Sequence, residues 1–477
     1  MQDVTYAQVA SVNAGARLDR LPICSFHWRI LALIGAGMFL DAFDIYLAGG
    51  VLGAVLKEGW STLELNAAFV TATFIGMTLG AWFSGILGDR YGRRFSYQIN
   101  LAIFGLASLA AALAPSMQAL IAARFVIGIG LGAEIVVGYA TLTEFVPASS
   151  RGRWIGILAV ITNFSLFASS MTGLWVIPSF GWRYMFGIVG VLALIVWFMR
   201  KSMPESPRWL AANGRADEAE KILAGIEAEA ARKGPLPPVS APQRAEDQGG
   251  SVWRLFAPPY LGRTLLGSLL HIVVGFSLYG FIGWLPTFMV KGGHSVVSSL
   301  GYTTFMSLGG PVGSLIGLAL ADAIGRKPSI VGSSIAAAAF GLAYPFMPDG
   351  APLVAVGFLL VTAIYVMLAT GFAMHVPELF PTRYRLRGTA ICATAGRVTT
   401  ALVQFAVIAI FAWKGLVGVL ITLAGILLFQ AVVFLIFGFE TKGRGLEEVS
   451  GSSIEADSVA SRRKIVGIDA ERAADRI

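Results

Sequence analysis

The sequence predicts an all-α membrane protein of about twelve transmembrane helices, arranged as two bundles of six. Three observations lead to this prediction: the composition, the spacing of the apolar runs, and short motifs that recur in both halves. The 477 residues are 56% hydrophobic and 13% charged, with a mean hydropathy of +0.71. A soluble domain is roughly a quarter charged. The composition therefore indicates a chain that lies in a bilayer.

A membrane-spanning helix needs about 20 predominantly apolar residues. The first half contains such runs near 30–53, 65–87, 95–114, 118–142, 154–178 and 183–200, and the second half near 263–290, 298–320, 329–347, 352–376, 388–412 and 415–438. The predicted domains are an N-terminal segment 1–29, a bundle 30–200, a linker 201–261, a bundle 262–438 and a tail 439–477. We expect one short surface helix in the polar, proline-containing linker and a largely disordered tail.

The basic residues predict the orientation, because Lys and Arg collect on the cytoplasmic side of membrane proteins. One side carries Arg90, Arg93, Arg94, Arg151, Arg153, Lys201, Arg208, Arg326, Lys327, Arg383, Arg385 and Arg387, and the other carries little more than Lys57, Arg183, Lys291 and Lys414. Both termini are therefore expected in the cytoplasm, with the chain in a bacterial-type inner (plasma) membrane. The first span is expected to serve as an uncleaved signal.

The same distribution argues against nucleic acid as a partner. The net charge of +8 lies in short clusters between apolar runs rather than along one polar face. The two cysteines, Cys24 and Cys392, allow neither a disulfide framework nor a zinc site. We expect no metal and no cofactor, and a monomer whose partners are the lipid bilayer, a small substrate and protons.

Three motifs recur in both halves at matching positions. Gly88-Asp89-Arg90-Tyr91-Gly92-Arg93-Arg94 follows the second run, and Ala321-Asp322-Ala323-Ile324-Gly325-Arg326-Lys327 follows the eighth. Glu144, Arg151 and Gly152 are matched by Glu378, Arg387 and Gly388, and Pro204-Glu205-Ser206-Pro207-Arg208 by Glu440-Thr441-Lys442-Gly443-Arg444. The matches indicate a duplicated six-span unit.

With these motifs, and with Trp209-Leu210 completing the third one, residues 25–448 resemble the major facilitator superfamily. The resemblance implies two six-helix bundles around a central cavity that opens alternately to each side. It also implies a charged gate on the cytoplasmic face, for which the candidates are Asp89, Arg90, Arg93, Arg94, Glu144, Arg151, Arg153, Glu205, Arg208, Asp322, Arg326, Glu378 and Arg387. The alternative is that these charges only follow the positive-inside rule, although acidic residues contribute little to that rule.

Ionisable residues inside the apolar runs are the candidates for coupling and substrate binding, since each costs roughly 2.5–3.5 kcal/mol to insert. Asp41 and Asp44 share a helical face, with Asp41 about 18 Å into the first span. Two carboxyls this close in a low-dielectric interior suit one of them to carry a proton, and a contact between helices is the alternative. Arg124 and Glu134 lie on the fourth span, where we expect a structural or coupling role.

Arg397 lies near mid-depth in the eleventh span, where a permanent planar cation suits a substrate carboxylate. The alternative is that it pairs with a carboxylate of the protein. Tyr279 and Trp284 could stack on a flat ligand or face lipid. Asn163 is a further candidate for substrate contact, as is Gln404.

The Asp41–Asp44 pair, Trp284-Leu285-Pro286-Thr287 and Gly396-Arg397 resemble the aromatic-acid:proton symporters. That resemblance implies proton-driven import of a carboxylate such as a benzoate, a hydroxybenzoate or a nicotinate-like acid. Ala42 departs from the glycine that usually follows the first aspartate in those symporters. A sugar or polyol symporter is the alternative, followed by an exporter or a non-transporting sensor. An enzyme is disfavoured because HExxH, GxSxG and Walker patterns are missing.

Overall fold

The computed structural model describes residues 13–147, 150–232, 234–239, 251–381 and 384–442, apart from the side chains at positions 85, 89, 135, 136 and 386. Within these ranges every regular element is helical. The spanning helices of the first half are α1 Ser25–Lys57, α2 Leu63–Tyr91, α3 Arg93–Ala112, α4 Met117–Phe145, α5 Arg151–Phe180 and α6 Arg183–Met199. In the second half, α7 is Leu261–Lys291, α8 Val296–Ala323, α9 Arg326–Ala343 and α10 Ala351–Glu378.

The last helical stretch, Arg385–Phe437, contains two spanning helices. Its 53 residues would extend about 80 Å, far beyond the roughly 30 Å of a bilayer core. Gly415 interrupts the stretch with a φ of 62° and a ψ of −158°, a conformation that suits glycine. We therefore number 385–414 as α11 and 416–437 as α12. The predicted number of twelve spans agrees with the eleven apolar helical stretches of the described chain once this stretch is divided.

With twelve spans, α1 begins and α12 ends on the same side of the protein, here called the terminal face. Short turns join α2 to α3 and α8 to α9 on this face. Gly92 and Gly325 make these turns with φ angles of 98° and 100°. A side chain at Gly92 would overlap the Glu205 carboxylate, and one at Gly325 would lie 2.5 Å from Oε2 of Glu440. Both turns therefore require glycine, because each has a positive φ and no room for a side chain. A structural repeat predicts this agreement.

The segment between the halves is more ordered than the predicted linker with one surface helix. Pro207–Ala212 and Ala216–Ala231 are both helical. The second helix buries Leu223 and Ile226 with the core of the first half, because its apolar residues recur with helical spacing. Arg17, in the short helix Ala14–Asp19, pairs with Glu227 at 2.6 Å. Ordered chain thus also precedes α1, which itself begins five residues earlier than predicted.

The halves meet closely on the face opposite the termini. A side chain at Gly49 of α1 would lie 2.8 Å from the carbonyl oxygen of Gly283 in α7. The α7 backbone widens into a π-helical turn at Phe276–Phe281 and narrows into a 3₁₀ turn at Ile282–Trp284 just before this contact. Small residues allow such close backbone contact between membrane helices. The opposite face is therefore closed between α1 and α7.

Candidate transport site

Asp44 and Arg124 form a buried ion pair between α1 and α4. Nη1 of Arg124 lies 2.5 Å from Oδ2 of Asp44, and the two side chains are 1% and 0% exposed. Nε donates to the hydroxyl of Thr73 at 3.2 Å, and the guanidinium lies over the ring of Phe69, 4.7 Å from its centroid. The arginine is therefore fully engaged by the protein.

A second buried pair joins Glu134 of α4 to Arg200, the residue after the end of α6. Nη1 of Arg200 lies 2.5 Å from Oε1 of Glu134, and each side chain is 1% exposed. Nε and Nη2 of Arg200 donate to the carbonyls of Leu33 and Ile34 in α1 at 2.8 and 3.1 Å. Asp41 lies within electrostatic range of this pair. It is 1% exposed, and neither of its carboxyl oxygens has a hydrogen-bond partner among the described residues.

Arg397 of α11 differs from these two arginines. It is partly buried, and within the described chain it has neither an ion pair nor a hydrogen bond. Its electrostatic neighbours include Tyr279 and His271 of α7. His271 donates from Nδ1 to the carbonyl of Gly267 at 2.9 Å, which leaves Nε2 as the acceptor nitrogen of the neutral ring.

Three tyrosines lie around the interface of the two halves. The hydroxyls of Tyr46 in α1 and Tyr365 in α10 are 2.8 Å apart. Tyr279 packs edge-on against Phe74 of α2, with 4.6 Å between the ring centroids. Tyr279 and Phe74 line a cavity to which Thr73, Arg124 and Trp284 also contribute. The structure thus brings three sequence-predicted residues, Arg124, Tyr279 and Trp284, to one cavity.

The predicted polar contacts Asn163 and Gln404 are both engaged within the protein. The amide of Asn163 in α5 donates to the hydroxyl of Ser314 in α8 at 2.9 Å. Gln404 accepts from the indole N–H of Trp284 at 2.7 Å and donates to the carbonyl of Thr400 at 2.8 Å. Trp284 is 1% exposed, so it is held as part of the cavity wall.

On the terminal face, the repeated motifs form two equivalent clusters. Arg93 pairs with Glu144 at 3.1 Å in the first half, and Arg326 pairs with Glu378 at 3.2 Å in the second. Both pairs join residues of the same half. Arg326 also lies 3.4 Å from the exposed Asp322.

Each cluster also contains a glutamate that binds the backbone at the start of a spanning helix. Glu205 accepts from the N–H groups of Arg93 and Arg94 at 2.9 and 3.1 Å. Glu440 accepts from those of Arg326 and Lys327 at 2.9 and 3.0 Å. Orphan N–H groups and the helix dipole make such positions favourable for a carboxylate.

The two glutamates differ in protonation behaviour. Burial raises the pKa of Glu205, and backbone hydrogen bonds from Ser206, Arg93 and Arg94 offset only part of that effect. Burial acts in the same direction on Glu440, but four backbone N–H donors outweigh it, and the pKa of Glu440 lies below its usual value. The two glutamates of the matching motifs therefore differ in acidity.

The remaining candidates for the gate occupy more peripheral positions. Arg151 and Arg208 both contact Asp19 of the N-terminal helix, at 3.4 and 2.9 Å. Arg94 donates to the carbonyl of Lys201 at 2.8 Å. Arg90 lies over the adjacent ring of Tyr91, Arg153 and Arg387 are exposed, and the side chain of Asp89 lies outside the described residues.

Four residues of these sites are not among the candidates that the sequence predicts. Arg200 was hidden because it lies at the end of an apolar run, where a basic residue is expected for topology alone. Asp19 precedes the first run, and His271 is an electrostatic neighbour of Arg397 that no repeated motif marks. Glu440 appeared in the third repeat, and its match to Glu205 was the available signal.

This fold, with a site between two halves of six helices, defines a secondary transporter of the major facilitator superfamily and an integral membrane protein. The chain belongs to the sugar (and other) transporter family, whose profile matches residues 30–451. Its role is thus transport rather than catalysis.

Relatives and solved structures agree with this assignment. The inner membrane metabolite transport protein YdjE of Escherichia coli (strain K12) is 37% identical, over 91% of this chain and 98% of its own length. The niacin transporter NiaP of Acinetobacter baylyi is 32% identical, over 91% of this chain and 99% of its own. The inward-open xylose transporter XylE from E. coli superimposes with a TM-score of 0.70 over 89% of this chain and 99% of that chain. At 18% identity the likeness to XylE concerns the fold alone.

Proposed function

We propose that this protein is a proton-coupled symporter that imports a small organic anion, an aromatic or related carboxylic acid, by alternating access. The observation that carries the proposal is the state of Arg397. It is a partly buried cation in the middle of a spanning helix, without an acidic partner in the described part of the chain. A cation in such a place is costly unless it is paired or reaches water.

The other two arginines buried in the membrane helices support this assignment by contrast. Arg124 and Arg200 each have a carboxylate at 2.5 Å, so their charges are neutralised within the protein. A substrate carboxylate would supply the corresponding partner for Arg397, and the planar guanidinium can bind it through two parallel hydrogen bonds.

The surroundings of this cation favour an aromatic acid. Tyr279, an electrostatic neighbour of Arg397, offers a ring on which a flat ligand can stack. The niacin transporter NiaP is among the relatives above 30% identity, and niacin combines a carboxylate with an aromatic ring. A nicotinate-like acid is therefore the first substrate to test.

Proton coupling is supported by the buried carboxyls Asp41 and Asp44 on α1. A solved structure with the same fold, at 20% identity, is described as a D-xylose-proton symporter. We place the terminal face in the cytoplasm, because Lys and Arg collect there. The ion-paired residues Arg93, Glu144 and Arg326 of that face are then the candidates for the inner gate.

A sugar or polyol is the alternative substrate. The name of the family, sugar (and other) transporter, favours it. Sugar recognition relies on amides and hydroxyls that are free to bond the ring. The amides of Asn163 and Gln404 are already bonded to the protein, which favours the anion.

Uptake into proteoliposomes tests the proposal. Labelled nicotinate, benzoate, hydroxybenzoate and xylose are compared with and without an inward proton gradient. We expect gradient-stimulated uptake of an acid, lost in Arg397→Ala and partly kept in Arg397→Lys. Val398→Ala is the matched control, since Val398 is the adjacent residue and is 47% exposed.

Three results would contradict the proposal. Uptake of xylose alone would remove the anion site and support the sugar alternative. Accumulation only with an outward gradient would indicate an exporter. Failure to transport any compound of the panel, in protein that is correctly folded, would favour a sensor.

A further inference from the structure

Among the described side chains close to α1 in the first half, three acidic groups and two arginines are buried. Asp44 is neutralised by Arg124, as described above. Asp41 and Glu134 remain. Arg200 pairs with Glu134 and is an electrostatic neighbour of Asp41. If both carboxyls were ionised, the cluster Asp41–Glu134–Arg200 would carry a net charge of −1 in a water-poor interior.

Arg200 and Glu134 meet at Gly37 of α1, and Asp41 is an electrostatic neighbour of both. A side chain at Gly37 would overlap the guanidinium of Arg200 and lie 2.7 Å from Oε1 of Glu134. Asp41 follows Gly37 by four residues, one helical turn later. Side chains on a helix lean toward its N-terminus, so that of Asp41 lies over the position of Gly37. The absent side chain of Gly37 thus makes the space in which the cluster forms.

Arg200 carries a single positive charge, so it can neutralise only one of the two carboxylates at a time. Two of its nitrogens are bonded to the carbonyls of Leu33 and Ile34. Its guanidinium also lies 4.8 Å from the ring centroid of Tyr97 on α3. Nη1 remains for an acidic group and takes Glu134 in this structure. The oxygens of Asp41 have no hydrogen-bond partner in the described chain.

We propose that Asp41 and Glu134 share one exchangeable proton, with Arg200 as the counter-charge that either carboxylate can take when the other is protonated. The inference rests on the proposed proton coupling and names its site. Because Glu134 pairs with Arg200 in this structure, the proposal places the proton on Asp41 in this state. Transfer of the proton to Glu134 would free that carboxyl from Arg200 and give the cation to Asp41. The proton moves from one carboxyl group to the other, and the net charge of the cluster stays at zero.

The other ionisable groups around the cluster are accounted for. Asp44 is an electrostatic neighbour of Asp41 on α1, but it is paired with Arg124. Tyr97 donates its hydroxyl to the carbonyl of Val137 at 2.8 Å. Glu144, farther along α4, pairs with Arg93. The proton is thus assigned to the two carboxyls that have one arginine between them.

Infrared difference spectroscopy of substrate-free protein tests the inference without any transport substrate. Wild-type protein near neutral pH should show the C=O stretch of a buried protonated carboxyl. Asp41→Asn and Glu134→Gln should each abolish that band, because the remaining carboxylate then pairs with Arg200 and ionises. The double variant Asp44→Asn/Arg124→Gln is the matched control and should keep the band. It removes another carboxyl of α1 without leaving an unpaired charge.

A band that survives in Asp41→Asn, or that disappears only in the double variant, would overturn the shared-proton site. Transport provides the second measurement. Asp41→Asn should lose gradient-driven accumulation while keeping substrate exchange at equal pH. If Asp41 had only a structural role, its substitution would impair both activities together. If the band behaves as expected but wild-type uptake does not depend on the proton gradient, the proposed symport is wrong and the shared-proton site is retained.

Discussion

The substitution Gly37→Ala would test the buried Glu134–Arg200 pair by placing a methyl group in the space that the pair occupies. The new methyl group would overlap Nη2 of Arg200 and lie 2.7 Å from Oε1 of Glu134. A long side chain can often move aside, but this guanidinium is fixed by the Leu33 and Ile34 carbonyls at 2.8 and 3.1 Å. The methyl group and the ion pair therefore cannot both keep their places.

Two opposing terms set the magnitude. Alanine is favoured over glycine within a helix by about 1 kcal/mol. Breaking a buried ion pair and leaving its charges without partners costs about 3–5 kcal/mol. The difference is a destabilisation of about 2–4 kcal/mol. For a unit the size of the six-helix half this corresponds to a fall in apparent melting temperature of roughly 5–15 °C.

The assay is thermal unfolding of the purified protein in detergent, with Gly187→Ala as the control. Gly187 lies inside α6, and a side chain there would meet nothing within 4 Å. Alanine at position 187 should therefore be neutral or slightly stabilising. The reasoning is refuted if Gly37→Ala melts at the temperature of Gly187→Ala. It is also refuted if removing the guanidinium, by Arg200→Met together with Glu134→Gln, does not make alanine at position 37 tolerable.

Three further predictions concern other contacts. Asp44→Asn should destabilise the protein by about 3–5 kcal/mol because Arg124 is left buried without its partner, and adding Arg124→Gln should recover much of the loss in the same unfolding assay. Glu440→Gln should destabilise by about 1–3 kcal/mol at neutral pH. Because the pKa of Glu440 is lowered in the folded state, its contribution is fully present above the ordinary glutamate pKa and is lost as pH falls through the lowered folded-state pKa. The difference in melting temperature between the wild type and the variant should therefore narrow progressively as the pH is lowered through that range; an unchanged difference would contradict this. Tyr46→Phe removes the hydroxyl contact with Tyr365 between the halves and should shift the balance of open and closed states, measured as altered labelling of single cysteines on the face opposite the termini; identical labelling would exclude that role.

The spans and the repeat could be predicted from the sequence because both have one-dimensional signals. An apolar run of about 20 residues forms a helix in lipid regardless of its neighbours, since the backbone must satisfy its own hydrogen bonds. The repeated motifs that contain Gly92 and Gly325 likewise predicted a duplicated unit, and both glycines have a positive φ. Helix ends were less predictable. Ser25 begins α1 five residues before the apolar run, since a helix can continue beyond the residues that make the run apolar.

The sequence predicted which charged residues belong to the candidate site. It did not predict which of them form ion pairs with each other. A charge inside an apolar run is conspicuous, so Asp41, Asp44, Arg124, Glu134 and Arg397 could all be selected. Which of them pair depends on how α1, α4, α6 and α11 pack together. Spacing along the chain contains no information on that packing.

The sequence by itself determined that this protein lies in a membrane, that it is built from two related halves, and which charges lie inside its apolar runs. These properties follow from composition, periodicity and the high cost of an intramembrane charge. Only the tertiary structure decided that Arg124 and Arg200 are neutralised, that Asp41 has no hydrogen bond in the described chain, and that Arg397 has no acidic partner there. The reason is that ion pairing is a short-range interaction between side chains on different helices, and helix packing alone determines which of them come within hydrogen-bonding distance.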